Sequence, residues 1–545
     1  MKLTRRNFCE LAGSAVAVQT LPGSWRAFGQ PTSDDLTAKS LTEVSTMIHS
    51  KTVTSKQLVS ALLDRIGTYN PKVSCFITVM GREALAQPDE LDAEAKAGRF
   101  RGPLHGIPIG LKDNIDTAGT RTTTASPMFK DRVPTEDADI VRRLKAADAA
   151  VFGKLNLQEF ALACTRGVSY FGPSCNPWNL SYVTGGSSVG SGAALASNLV
   201  FGALGADTGG SIRVPSAWCG TVGLMPTFGL VSIRGIIPCT ADLDHCGPMA
   251  RTVEDVALML GQMTGYDNLD IFSVPTTPED YVKSMKQPVN GFRLGTPQSF
   301  YDHLEPEIDA AVKIALDVLA KLTAGVTSSA PLWEGLPGSG TGDADFYHHD
   351  LIEKYGLNYM PPTRVRFERM ENPQPGMKIP TASDVARARQ MLMTTRRTID
   401  SSFKDFDLVV VPTTRQSPPK INDSLARELA GGCMPGGGGA KPTKVYDFFQ
   451  GGAGCSNTAP FDAFGVPAIS LPCGYTKDGL PIGLMISGPH FSEGKVLALA
   501  YACQQARTGI RGDRSSVRKR PFRLSLKASH RQTPRLPFPT SGCLC

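Results

Sequence analysis

The 13 cysteines of this chain form no Cys-x-x-Cys pair and show no finger-type spacing. That excludes the common cysteine-rich zinc modules. No His-Glu-x-x-His occurs either. The group Asp343, Asp345, His348, His349 and Asp350 lacks paired-ligand spacing and reads as a polar helix face, so no metal site is expected. There is no phosphate-cradling P-loop and no dinucleotide-type glycine pattern, so no nucleotide cofactor is implied. Internal repeats are absent. No apolar run approaches the roughly 18 residues of a membrane helix, so no stable membrane anchor is expected. Positive charge is also missing from the body of the chain. The chain total is +7, but residues 1–29 and 508–545 together hold +11, which leaves −4 for Gln30–Arg507. An acidic body gives no electrostatic case for nucleic acid.

What is present divides into three parts. In the first, Thr4-Arg5-Arg6-Asn7-Phe8 resembles a twin-arginine motif, ahead of a short, weakly apolar stretch from Leu11 to Leu21. Arg26 and the small residues of Ala27-Phe28-Gly29 follow, as at a signal-peptidase site. Residues 1–29 are therefore expected to be a twin-arginine signal peptide, with export to the bacterial periplasm. Residues 30–507 form the globular domain, and 508–545 form a basic tail without periodicity, expected to be disordered. Thiols in apolar or small-residue settings, such as Cys219, Cys239 and Cys503, are expected to be buried and free.

Within the body, Ser40-Leu41-Thr42-Glu43 and Thr54-Ser55-Lys56-Gln57 are capping boxes that open amphipathic helices. Cys75–Met80 reads as a strand, Asp139–Ala147 as a helix, Ala150–Gly153 as a strand and Ser191–Leu199 as a helix. This alternation argues an α/β fold with helices on both faces of a sheet. Farther on, Pro306–Leu322 and Asp384–Phe403 read as helices around a Gly/Ser-rich stretch. Asp407–Pro412 reads as a buried strand, and Gly431–Gly439 is expected to be a mobile loop in a region expected to border the acyl pocket.

Three short segments carry the chemistry. Gly185-Gly186-Ser187-Ser188-Val189-Gly190 and Asp207-Thr208-Gly209-Gly210-Ser211-Ile212-Arg213-Val214-Pro215 each place a serine after a Gly-Gly pair. Glycine there permits a sharp turn and lets N–H groups face a substrate oxygen. Upstream, Gly106-Ile107-Pro108-Ile109-Gly110-Leu111-Lys112 puts a lysine at the end of an apolar run, where burial can strip it of water. The set resembles the amidase signature family, the Ser–cis-Ser–Lys amidohydrolases. From Gly185 to Ser216 the sequence is similar to the family pattern at every defined position except Val189, where the family usually has Gly or Ser. Gly153-Lys154-Leu155-Asn156, Asn176-Pro177-Trp178-Asn179, Gly247–Thr252 and Gly465–Pro472 through Gly479–Gly483 resemble further family blocks. The likeness covers roughly Leu36 to Arg507.

The resemblance implies a single large mixed sheet wrapped by helices. It also implies Ser211 as nucleophile, Ser187 on a cis peptide bond as relay, and Lys112 as base. The N–H groups of Thr208, Gly209, Gly210 and Ser211 would form the oxyanion hole. Ser188, Asp207 and Arg213 would be structural, the last two bracing the loop with charge-assisted bonds. For Lys112 to accept a proton at neutral pH its pKa must fall by about three units. Were a left-handed backbone required at Val189, a β-branched residue would be strained there.

The function expected is hydrolysis of a small carboxamide through an acyl-serine, with a small-molecule amide as the substrate partner. Two alternatives accompany it. The first is the glutaminase subunit of the tRNA-dependent amidotransferase. Phe171–Trp178 resembles the corresponding stretch of that protein, although its glutamine-binding aspartate falls near Cys455 here. The second is a non-catalytic binding protein on the same fold, motivated by Val189. A Gly-x-Ser-x-Gly elbow, with Ser188 as nucleophile and His490 as base, competes from the same residues. So do the short Ser-x-x-Lys matches Ser401/Lys404 and Ser492/Lys495.

Overall fold

A computed structural model describes residues 35–510, except 81–82, 163–166, 278, 330–342, 373–380 and 430–455. Residues 1–29, expected to be a signal peptide, nearly all of the basic tail, the expected loop Gly431–Gly439 and Cys455 lie outside the described residues.

The first two helices start where their capping chemistry puts them. Ser40 caps Leu41–His49 and exchanges hydrogen bonds with Glu43; Thr54 caps Ser55–Val73 and does the same with Gln57. Each satisfies two backbone N–H groups that the first helical turn leaves open. Their apolar stripes, Leu41, Val44 and Ile48, then Leu58, Leu62 and Ile66, are buried in the main core.

The strands are β1 (Phe76–Val79), β2 (Pro108–Lys112), β3 (Ala150–Leu155), β4 (Cys175–Asn176), β5 (Asn179–Val183), β6 (Gly202–Asp207), β7 (Val222–Met225), β8 (His245–Ala250), β9 (Arg293–Pro297), β10 (Gly325–Ser329), β11 (Leu408–Pro412), β12 (Ala468–Tyr475) and β13 (Pro481–Ser487). Eleven of them form one sheet in the order β1-β3-β2-β6-β8-β7-β12-β13-β11-β9-β10. It is mixed: β3, β2 and β6 run parallel, as do β11, β9 and β10, and the strands between alternate in direction. The central strands are buried along their whole length, as a sheet covered on both faces requires. The expected α/β class and single mixed sheet hold.

The stretch around 299–403 differs from expectation. Pro306–Leu322 is helical as expected, and the predicted helix at 384–403 is Ala382–Thr398 followed by a 3₁₀ turn to Phe403. Strands β9 and β10 and the helix Pro361–Glu371 had no sequence signal strong enough to read, whereas the helix Asp343–Tyr355 falls where a polar helix face was expected. His348 was expected on a polar face, but it is fully buried and bonded to the Tyr359 hydroxyl at 2.9 Å. It packs in an aromatic cluster with Phe160 and Phe367. That cluster anchors the two helices beside the loop that follows β3.

Candidate active site

Lys112 ends β2 and Asp207 ends β6, and these neighbouring strands are parallel. Both residues therefore emerge at the same carboxyl edge of the sheet, where open α/β sheets place their ligand sites. Ser187 precedes the helix Val189–Ala196, and Ser211 precedes the helix Arg213–Cys219. The two serine segments are joined by the bond from the Ser188 N–H to the Ser211 carbonyl, 3.3 Å. The Gly186–Ser187 peptide is cis, as the family resemblance implies. The Ser187 carbonyl is held from outside by the Gln158 N–H at 3.0 Å.

Lys112 Nζ lies 2.8 Å from Ser187 Oγ and 3.1 Å from the Ala206 carbonyl. The side chain is completely buried. Burial pushes its pKa down to about 8, against the opposing pull of Cys239, Asp244 and Asp207. With a pKa of about 8, roughly a tenth of the molecules carry the neutral amine at pH 7 and half at about pH 8, far more than for an ordinary lysine. Asp244, which sequence reasoning missed, accepts from the Thr208 hydroxyl and from the N–H groups of Cys239 and Thr240. Burial raises its pKa to about 6 in spite of those bonds.

The loop bearing Ser211 is built on Asp207. Its carboxylate accepts from the N–H groups of Gly210, Ser211 (2.8 Å), Ile212 (3.0 Å) and Arg213 (3.3 Å). Two guanidinium contacts from Arg213, at 3.0 and 3.1 Å, complete it. Burial raises the Asp207 pKa, but Arg213 and the hydrogen bonds more than offset this and hold it well below the ordinary carboxylate range. The expected bracing by Asp207 and Arg213 is thus present in the geometry. It also corrects the expected four-donor oxyanion hole. The N–H groups of Gly210 and Ser211 are taken by Asp207, because a buried carboxylate draws in the donors nearest to it. Thr208 is fixed instead through its hydroxyl, and Gly209 through its carbonyl, which accepts from Thr458 Oγ1 at 2.6 Å.

Other sequence expectations sort cleanly. Ser188 is buried, with its hydroxyl 3.4 Å from the Ala206 carbonyl. Both nitrogens of His490 are occupied elsewhere, by Asp400 and the Phe464 carbonyl, so the Ser188–His490 elbow is not assembled. Ser401 and Ser492 bond to carbonyls three residues back and serve local turns. Val189 begins its helix, buried and without a positive φ, so the strain considered for it does not arise. Cys219 is a buried free thiol, Cys239 is half-buried and free, and Cys503 is buried. Among the described residues one group, Glu94, His105 and Asp148, has metal-like proximity. Arg101 already pairs with both carboxylates, and both nitrogens of His105 are bonded.

Comparison with known proteins gives the same picture. The family model described as Amidase matches residues 57–497. A glutamyl-tRNA(Gln) amidotransferase subunit from Alkaliphilus metalliredigens is 36% identical over 487 residues, 84% of this chain and 94% of that protein. The structure of 6-aminohexanoate cyclic dimer hydrolase with its substrate is similar at a TM-score of 0.74 and 27% identity, covering 86% of this chain and 97% of that one. The corresponding amidotransferase subunit from Thermotoga maritima follows at 0.67 and 28%, covering 88% and 96%. With the family model spanning most of its length and the two serine loops and buried lysine gathered at one sheet edge, this chain belongs to the amidase signature family.

Proposed function

We propose that this protein hydrolyses a carboxamide through an acyl-serine formed on Ser211, with release of ammonia. The observation that carries the reading is the 2.8 Å contact between Ser187 Oγ and a fully buried Lys112 whose pKa is lowered to about 8. Neutral Lys112 takes the proton of the Ser187 hydroxyl, which in turn takes that of Ser211. The Ser211 oxygen attacks the amide carbon. The departing nitrogen receives its proton back through Ser187, and water then releases the acid and restores Ser211. Thr208 and Gly209, with the loop that Asp207 and Arg213 hold rigid, face the developing oxyanion.

The side-chain amide of glutamine is the first substrate in this proposal. The relatives matched over nearly their whole length are components of glutamyl-tRNA(Gln) amidotransferases, which supports a glutaminase-type role over a general amidase. A second reading, a small linear amide cleaved in the periplasm, rests on the Arg5-Arg6 motif and on the expected aspartate position falling near Cys455. Ammonia release from glutamine and from a panel of linear carboxamides separates the two. Turnover of glutamine favours the first; turnover of linear amides alone favours the second. Ser211→Ala should abolish release while leaving the thermal melt intact, since it deletes the covalent step. More than about a tenth of the activity surviving would refute the assignment.

A further inference from the structure

Behind the Ser211 loop two buried carboxyl groups share one guanidinium. Arg213 Nη2 meets Asp207 Oδ1 at 3.1 Å and also donates to Asp462 Oδ2. Arg213 and Asp207 are completely buried, and the Asp462 side chain is 1% exposed. Both carboxyl groups thus meet the same Arg213 nitrogen, Nη2. Asp462 sits on the short helix Ala459–Phe464, which also brings Thr458 onto the Gly209 carbonyl and onto Arg213 Nη1 (2.9 Å).

The remaining charged or titratable neighbours do not neutralise a second carboxylate. Arg396, from the helix Ala382–Thr398, donates to the main-chain carbonyls of Asp462, Ala463 and Asp242, not to the Asp462 carboxyl. Asp242 itself lies between Arg396 and the half-exposed Arg389. His245, at the start of β8, has its Nδ1 3.8 Å from Asp462 Oδ1 but bonds the Leu243 carbonyl at 2.7 Å. Burial drives its pKa down to about 3, so it is neutral. Asp462 Oδ1 and His245 Nε2 have no hydrogen-bond partner. Two like charges on one dry cation cannot both persist; one carboxyl keeps its proton. Asp207 holds four N–H donors and is the anion, and burial raises the Asp462 pKa far above its ordinary value.

We propose that Asp462 is a positioning residue for Ser211: as a neutral acid seated on Arg213, it locks the Asp207 carboxylate onto the Gly210–Ser211 turn. The inference rests on the reading of Ser211 as nucleophile. It predicts that shape matters at position 462 and charge does not. Asp462→Asn preserves the oxygen that meets Nη2 and is neutral. Asp462→Ala empties the seat and lets the guanidinium and the turn shift.

The test is the rate at which a fluorophosphonate probe modifies Ser211, with the modified peptide mapped by mass spectrometry. Asp462→Asn should label within about threefold of the wild-type rate, because a neutral near-isostere replaces a neutral acid. Asp462→Ala should label about a hundredfold more slowly, as expected for a misplaced nucleophile, while still melting cooperatively. A wild-type protein that is not labelled at Ser211 sinks the nucleophile and this inference with it. Labelled wild type with Asp462→Asn slowed more than about tenfold shows that the charge is needed and overturns this inference alone. So does a folded Asp462→Ala that labels at the wild-type rate. If the alanine variant does not fold, the asparagine result decides by the same limits.

Discussion

Lys112 links the stability of the fold to the proposed chemistry through the environment of a single residue. Its folded pKa of about 8 lies below the ordinary value of 10.5. Between those two values the unfolded chain holds a proton that the native chain has lost, so stability rises with pH across that window. Below about pH 8 the buried ammonium subtracts from stability in full; above about 10.5 the subtraction is gone. Lys112→Met should therefore raise the melting temperature near pH 6, with the gain shrinking towards about pH 10, while abolishing activity. In the wild type, amide hydrolysis should climb as pH rises through about 8, because the working form is the free amine. A rate that is flat from about pH 6 to 9, or a Met variant less stable at pH 6, would show that Lys112 is not the buried base described here.

At the scale of elements, the site is two helix-leading turns held against one sheet edge. The turn before Arg213–Cys219 depends on Gly210, whose φ is +129° and whose hypothetical Cβ would run into Thr458. Its neighbours are fixed by Asp207 on one side and Thr458 on the other, so the clash has no easy relief. Gly210→Ala should lower stability by about 1–3 kcal/mol and reduce hydrolysis far more than that loss alone explains. Denaturant midpoints measured beside the rate would separate the two, and a variant with normal turnover would contradict the packing. On the opposite side, the helix Pro361–Glu371 is tied to the site through Glu159. Its carboxylate accepts from Ser126 Oγ at 2.7 Å and from the Met360 N–H at 3.1 Å. Gln158, next in sequence, holds the Ser187 carbonyl. This tether joins segments more than 200 residues apart, and no local motif announces it.

On the scale of the whole molecule, the charge distribution separates ends from body. The basic ends carry the excess positive charge, and the body is acidic. The last helix, Glu493–Ile510, continues three residues past the domain end expected at Arg507. Among the described residues no helix is long and apolar enough to cross a membrane. The proposal of twin-arginine export makes a direct prediction. Replacing Arg5 and Arg6 by lysine should strand active enzyme in the cytoplasm, and the periplasmic wild type should lack residues 1–29. Recovery of the double variant from the periplasm would refute this, and so would mature protein retaining Met1–Gly29. The same fractionation bears on substrate, because an exported enzyme meets no charged tRNA.

Features that depend on neighbouring residues were legible before any fold was known. Capping boxes placed the first helices, apolar runs placed β2, β3 and β11, and two Gly-Gly-Ser turns with one strand-end lysine marked the site. Those signals lie within a few residues of what they specify. Contacts between distant segments set the rest. Two of the expected oxyanion donors went to Asp207, His348 went inside, and Asp244 and Asp462 joined the site from elsewhere in the chain. Each of these depends on which buried groups must satisfy one another across the sheet. That demand arises only once distant segments have excluded water from the same volume.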